Sequence, residues 1–132
     1  MSKLATATFR VKSWDEEPYD ETEGAPKLTR ARVAKVFSGD IEGESVVEYL
    51  MVHRPDGTAS FVGVERVVGR LGDMEGSFVL QHGGTYVGGV AKAEWSVVPG
   101  SGTGSLTGLS GEGGFESGHA EEISMTLEYD LE

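Results

Sequence analysis

Apolar and polar residues alternate with a period of two through much of this sequence, and this feature constrains the fold most strongly. In the last such stretch, Ile123, Met125, Leu127 and Tyr129 alternate with charged or hydroxyl-bearing residues. That pattern gives a β-strand one buried and one solvated face. No long stretch has apolar residues spaced three and four apart, as an amphipathic helix requires. The sequence therefore predicts an all-β protein with little or no helix.

Turn residues divide the remaining sequence into seven further predicted strands. In Pro55-Asp56-Gly57, the proline ring fixes φ and the glycine adopts positive φ freely. This combination predicts a tight turn that joins two strands as a hairpin. Residues 72–76 and the pair Gly83-Gly84 predict two more corners, whereas the acidic segment 15–26 predicts a mobile loop. The strands are expected at residues 6–14, 28–37, 46–54, 59–68, 78–82, 91–97 and 105–115.

Eight antiparallel strands at hairpin spacing can close into a barrel whose interior holds side chains or one small ligand. A sandwich of the same strands is the alternative architecture. The chain has 132 residues, the length of one ordinary domain, and contains no internal repeat. Residues 1–132 are therefore expected to form a single β-barrel domain.

The composition limits the partners that the protein is expected to bind and the compartment in which it is expected. With 11 Lys+Arg and 22 Asp+Glu, the net charge is 11 − 22 = −11, so no basic patch for nucleic acid or for an anionic membrane is expected. The absence of cysteine excludes disulfides and thiolate metal sites. The histidines are not spaced as metal ligands, so no metal is expected. The glycine-rich residues 99–104 match neither a P-loop nor a dinucleotide motif, and no cofactor is expected. The first residues lack a signal-peptide core, and no apolar run is long enough to span a bilayer, which favours a cytoplasmic protein.

Two carboxylates are the first candidates for chemistry. Glu65 shares a strand face with Phe61 and Val67, and Glu48 shares one with Leu50. A carboxylate inside an apolar barrel has a raised pKa and can act as a general base or anchor a polar ligand. The alternative is a structural ion pair, because buried charges are usually paired.

Arginines and histidines complete the candidate polar groups. Arg30 and Arg32 share one strand face and are the expected counter-ions of the two carboxylates, which would form an internal cluster. His82 is expected at the barrel rim, where an imidazole is either simply exposed or an acid–base catalyst. His53 and His119 are expected in turns or at the surface.

A further set of side chains could line a ligand pocket or simply fill the barrel. These candidate ligand-binding residues are Trp14, Arg30, Arg32, Tyr49, Phe61, Phe78, Gln81 and Trp95. Separately, Val62, Val64 and Val68 give one strand apolar residues on both faces, which predicts an oligomer interface.

Seven short strings, in a fixed order, carry a resemblance to a known family: residues 12–16 (KSWDE), 27–31 (KLTRA), 39–44 (GDIEGE), 48–51 (EYLM), 61–67 (FVGVERV), 76–81 (GSFVLQ) and 99–104 (PGSGTG). The chain resembles, over nearly its whole length, a bacterial family of uncharacterised small proteins with an allene oxide cyclase-like barrel. The resemblance implies an eight-stranded antiparallel barrel akin to plant allene oxide cyclase and dirigent proteins, which act on hydrophobic small molecules without an organic cofactor. No cyclase motif of those plant proteins can be transferred to this chain, because fold does not imply function.

Three functions are consistent with these observations. The first is a barrel that binds a small, partly hydrophobic molecule. The second is a cofactor-independent isomerase or cyclase that uses Glu65 or Glu48, and the third is a structural or interaction module. The sequence leaves open whether the protein is an enzyme.

Overall fold

The computed structural model describes residues 2–118 and 120–132, and its strands form a closed antiparallel barrel in which each strand pairs with the next and β8 pairs with β1. This confirms the predicted all-β, eight-stranded barrel and excludes the sandwich. The prediction for His119 falls outside the described residues. The strands are β1 Lys3–Asp20, β2 Lys27–Gly39, β3 Ile41–His53, β4 Ala59–Leu71, β5 Met74–Val87, β6 Val90–Val97, β7 Leu109–Ser117 and β8 Ile123–Leu131, and a 3₁₀ turn spans Gly104–Leu106.

The two ends of the barrel differ in how they are filled. At one end, here the capped end, the connection 98–108 buries Leu106 completely against a cluster that includes Ile41, Leu71 and Phe78. The other, here the hairpin end, carries the turns at 21–26, 54–58 and 88–89. A second, smaller cluster lies towards this end and includes Tyr49 and Phe61. Leu106 therefore closes one end, and aromatic side chains are present in both clusters.

The predicted loop at 15–26 is wrong for residues 15–20, because β1 continues to Asp20 and pairs with β2 as far as Leu28. Residues 21–26 do form a turn. Its pairing with β8 stops at Phe9, so residues 10–20, here the β1 extension, have a strand neighbour on one side only. Pro18 fits such an edge because a missing N–H there removes no ladder hydrogen bond. The extension leaves the barrel wall incomplete beside it at the hairpin end.

Two predicted strand boundaries are also wrong. Gly83 and Gly84 lie within β5, and the corner comes later, at Gly88-Gly89, where φ is +62° and +81°. Gly84 has a packing role, because a Cβ there would lie 2.6 Å from Cζ of Phe61. The strand expected at 105–115 begins at Leu109 instead, since residues 104–106 form the 3₁₀ turn. The turn at 55–57 and the corner at 72–73 agree with prediction.

No helix in the part of the chain that the structure describes is long and apolar enough to cross a membrane.

Candidate functional site

Four polar side chains meet inside the barrel, one from each of four neighbouring strands. Lys35 on β2, Ser45 on β3, Glu65 on β4 and His82 on β5 are 2 %, 4 %, 0 % and 2 % exposed. Each occupies an inward position in the alternation of its strand. We call these four residues the buried polar cluster.

Glu65 is the centre of the buried polar cluster. Its Oε1 lies 2.6 Å from Nε2 of His82 and 3.4 Å from Nζ of Lys35, and its Oε2 accepts a hydrogen bond from the Ser45 hydroxyl at 2.5 Å. Both carboxylate oxygens are thus bound to donors. A carboxylate held by donors on three strands is fixed in position, and it ties β2, β3 and β5 to β4.

The protonation states follow from these contacts. Burial would raise the pKa of Glu65, but the Lys35 ammonium and the hydrogen bonds from His82 and Ser45 lower it to about 2. Burial lowers the pKa of His82, and the bond to Glu65 offsets this only in part. Burial also lowers the pKa of Lys35 against the attraction of Glu65. At neutral pH the cluster therefore contains an ionised carboxylate and a neutral imidazole.

The second nitrogen of His82 is the unexplained atom of the cluster. Because Glu65 is ionised and accepts, the neutral ring carries its proton on Nε2 and donates it to Oε1, so Nδ1 is a hydrogen-bond acceptor. Nδ1 is buried and finds no partner among the described residues. A buried polar atom without a partner costs about 1–3 kcal/mol. Nδ1 can therefore accept a hydrogen bond from a further donor.

Aromatic rings surround the buried polar cluster. Nζ of Lys35 lies 4.2 Å from the ring centroid of Phe9 and 5.2 Å from that of Phe115. The His82 ring packs edge-to-face on Trp95 and Tyr49, with centroids 5.0 Å and 5.5 Å apart. Burial and the nearby Glu65 charge both raise the pKa of Tyr49, so its phenol stays protonated. The cluster thus lies in an apolar, aromatic environment in which its hydrogen bonds are strong.

A second polar group lies at the hairpin end. Glu16, on the β1 extension, accepts hydrogen bonds from the hydroxyl of Thr29 at 2.7 Å and from Nε1 of Trp14 at 2.9 Å, and lies 2.8 Å from Nε2 of His53. Burial would raise the pKa of Glu16, but these contacts lower it. The Trp14 ring lies 6.2 Å from that of Tyr49, between centroids. These contacts hold the β1 extension against β2 and β3 at the hairpin end of the barrel.

The predicted internal cluster of two carboxylates and two arginines is wrong. Arg32 and Glu48 lie on the outside, where Nη1 and Oε1 form an exposed pair 3.3 Å apart. Arg30 is also exposed. The buried partner of Glu65 is Lys35, because Glu65 lies on the inward face of β4 and both arginines lie on the outward face of β2.

The predicted ligand-binding residues divide into two groups. Tyr49, Phe61, Phe78 and Trp95 are buried inside the barrel, and Trp14 is 49 % exposed at the hairpin end. The remaining three, Arg30, Arg32 and Gln81, are exposed. With Glu48, Leu50 and Val62, Arg30 and Gln81 line a groove of about 500 Å³ on the outside of the barrel wall, and the groove also touches His82.

His82 is not at the rim, as the sequence predicted, because β5 runs on to Val87 and places it in the middle of a strand. The sequence reasoning also missed Lys35 and Ser45. A signal existed for Lys35, since it falls in the alternation with Val33 and Phe37, both inside the barrel. A charged residue in such a series is seldom buried, and burial requires a partner that one strand does not reveal.

Within the residues that the structure describes, no three His, Asp or Glu side chains come together in a way that could hold a metal ion.

Comparisons with known proteins assign the chain to a family. A family model described as a protein of unknown function, DUF3224, matches residues 5–129. The crystal structure of a DUF3224 protein of unknown function from Shewanella oneidensis MR-1 is 32 % identical, with a TM-score of 0.82 over 100 % of this chain and 99 % of that one. No curated protein matches the chain. The resemblance to an uncharacterised bacterial family is thereby confirmed.

Proposed function

We propose that this chain, which belongs to the DUF3224 family, binds a small, partly hydrophobic molecule inside the barrel through a hydrogen bond to Nδ1 of His82. The observation that carries the proposal is this buried nitrogen, which has no partner among the described residues. The neutral ring offers Nδ1 as an acceptor, so the ligand supplies a hydroxyl or an N–H group.

The surroundings of His82 support the rest of the ligand's chemistry. Lys35 and Glu65 already balance each other's charge, so the ligand is neutral, because a further buried charge would lack a counter-ion. Tyr49 and Trp95 flank the imidazole and favour an apolar or aromatic ligand body. His82 is 2 % exposed, so entry requires side chains at the hairpin end to move.

Native mass spectrometry tests the binding. The protein is purified from its host, incubated with that host's small-molecule extract, and measured before and after denaturation. We expect one reproducible adduct that is released on unfolding. His82→Leu should lose it, whereas Gln81→Leu should keep it, because Gln81 is the exposed neighbour that lines the outer groove.

The opposite results would contradict the proposal. If the mass before denaturation equals the mass after it, no ligand is bound and the proposal fails. If only Gln81→Leu loses the adduct, the ligand binds outside the barrel. Because His82→Leu also removes a contact of Glu65, ¹⁵N NMR of the unaltered protein provides a second readout. The His82 Nδ1 resonance should move when the adduct forms.

A second candidate function is proton transfer, and the 2.6 Å contact between Glu65 Oε1 and His82 Nε2 favours it. A carboxylate that fixes the tautomer of an imidazole makes the other ring nitrogen a general base. Nδ1 would take a proton from a carbon beside a carbonyl group, the C–H electron pair would move into an enolate, and the proton would return to another atom of the same molecule. The net reaction is an isomerisation without a cofactor.

Hydrogen–deuterium exchange into the adduct separates the two candidates. In D₂O, an isomerase should introduce deuterium into the bound molecule, a change visible by NMR. Glu65→Gln should slow the exchange while binding persists. A ligand that keeps all its carbon-bound protons would leave binding as the function.

A further inference from the structure

The outer surface of β3 and β4 carries a group of exposed aliphatic side chains that the barrel fold does not require. We call these five residues the aliphatic face: Val46, Leu50, Val62, Val64 and Val68, which are 37 %, 46 %, 57 %, 55 % and 56 % exposed. They occupy outward positions, since they fall in the exposed half of the alternation on each strand, opposite the inward residues that are mostly buried.

The five side chains are contiguous. Leu50 lies directly opposite Val62 in the strand register, and Val62, Val64 and Val68 lie along the outward side of β4. Opposite residues on paired strands have Cβ atoms about 5 Å apart. Outward positions on β8 are instead occupied by polar residues such as Ser124 and Glu128. The surfaces of monomeric proteins rarely combine so many neighbouring aliphatic groups.

An unpaired cation lies within the aliphatic face. Arg66 falls between Val64 and Val68 on β4 and opposite Val46 on β3. Among the described residues it has neither an ion pair nor a hydrogen bond. A partner that covers the valines also covers this guanidinium, which then needs an anionic acceptor.

We propose that the aliphatic face is the contact between two copies of this chain. Each copy has a net charge of −11, so contact through most of the surface brings carboxylates together. Here the bordering carboxylates Glu44 and Glu48 are already paired with Lys12 and Arg32, and Arg66 adds a positive charge. Electrostatic repulsion therefore opposes this contact less than it opposes contact through a surface of unpaired carboxylates.

A two-fold arrangement also satisfies Arg66. When the same face packs on itself, the outward side of β3 in one copy can offer Arg66 of the other a carboxylate oxygen, because the pairs with Lys12 and Arg32 use only Oε1 of Glu44 and of Glu48. The apolar core of the contact is small compared with the roughly 800 Å² per partner of a standard interface. The dimer is therefore concentration-dependent rather than obligate.

Sedimentation equilibrium tests the dimer. From about 1 μM to about 1 mM, a range that brackets contacts of this class, the mass should rise from 14.0 kDa towards twice that value. Val64→Lys should shift dissociation at least tenfold towards monomer. Ser124→Lys, the matched control, adds the same charge at an exposed site on β8 and should dimerise like the unaltered chain.

Arg66 gives an independent measurement that does not alter the aliphatic side chains. Arg66→Lys should retain the dimer, whereas Arg66→Glu should weaken it. A mass that stays at 14.0 kDa throughout, or equal effects of Val64→Lys and Ser124→Lys, would overturn the proposal. A constant mass would show that the aliphatic face does not bind a second copy. Equal effects of the two variants would show that the copies meet through another surface.

Discussion

At the scale of single residues, Lys35 and Glu65 combine a large desolvation penalty with a strong mutual attraction. Both side chains are almost fully buried, and their charged atoms are 3.4 Å apart. The attraction offsets the penalty only while both partners are present. Removing one partner should therefore be worse than removing both.

Lys35→Met tests this balance. It leaves the Glu65 carboxylate buried without its counter-ion and should lower the free energy of unfolding by about 3–5 kcal/mol. Lys35→Met combined with Glu65→Gln should recover most of that loss, since the amide can still accept from His82 and donate to Ser45. Urea unfolding of the variants measures both effects. A double variant that is less stable than Lys35→Met would contradict this account.

The same cluster predicts a loss of stability in acid. The folded pKa of Glu65 is about 2 against an ordinary 4.5, so its stabilisation is complete above pH 4.5 and is lost as the pH falls towards 2. The folded pKa of His82 lies below its ordinary 6.5, so the unfolded chain binds the additional proton and stability also declines below pH 6.5.

Urea midpoints between pH 7 and pH 2 should therefore fall in two stages. The double variant at Lys35 and Glu65 should retain the upper stage, which belongs to His82, and lose the part of the lower stage that belongs to Glu65. An unchanged lower stage in that variant would assign the acid sensitivity to other carboxylates.

At the scale of strands, glycines on the inward face make room for aromatic rings. Gly63 lies on β4 beneath Tyr49, and a Cβ there would come within 2.6 Å of the Tyr49 ring and 2.9 Å of the Glu48 carbonyl oxygen. Gly83 on β5 pairs with the outward Val62 and is exposed, and a Cβ added there would have nothing within 4 Å. The two glycines therefore differ in role although they are close in the sheet.

Substitution by alanine distinguishes them. Gly63→Ala should reduce stability by about 1–3 kcal/mol, because the ring of Tyr49 or the backbone of β3 must shift. Gly83→Ala should change stability by no more than about 0.5 kcal/mol. Thermal unfolding measures the difference, and equal effects would show that Tyr49 does not depend on the space beside Gly63.

The strands also show which features the sequence could reveal. Alternation and the turn at 55–57 are sufficient to predict eight strands, because both are local signals. They leave a barrel and a sandwich open, because closure depends on the pairing of β1 with β8. Residues 15–20 of the β1 extension resemble a loop because Pro18 and the acidic residues are typical of loops. Their place at an edge depends on where β8 begins. Tyr49 and Trp95 are candidates from the sequence alone, but whether their side chains face the barrel interior depends on the strand register.

The candidate site was harder to predict than the fold. Glu65 and His82 were named from the sequence, but their contact depends on the pairing of β4 with β5, and Lys35 and Ser45 lie on two further strands. The buried polar cluster thus combines residues from four strands, and no single segment of the sequence reveals their contacts. Reading Gly83-Gly84 as a corner also places His82 at the end of a strand, although it lies in the middle of β5.

At the scale of the whole molecule, net charge opposes compactness. A net charge of −11 on 132 residues causes repulsion between like charges. This repulsion is stronger in the folded state than in the unfolded chain, because the charges are closer together when folded. Salt screens this repulsion over about 10 Å at 0.1 M. At low protein concentration, added sodium chloride should therefore raise the urea midpoint. A midpoint that falls with salt would show that local pairs such as Arg70–Glu42, 2.9 Å apart, outweigh the net charge.

The one-sided pairing of the β1 extension has a consequence for contacts between molecules. A strand with free N–H and C=O groups is a template on which another chain can add a strand, and uncontrolled addition leads to aggregation. In this protein that edge carries Pro18, which cannot donate, and the carboxylates of Asp15, Glu16, Glu17 and Asp20. The residues that make this segment resemble a loop therefore keep the incomplete wall from recruiting a foreign strand.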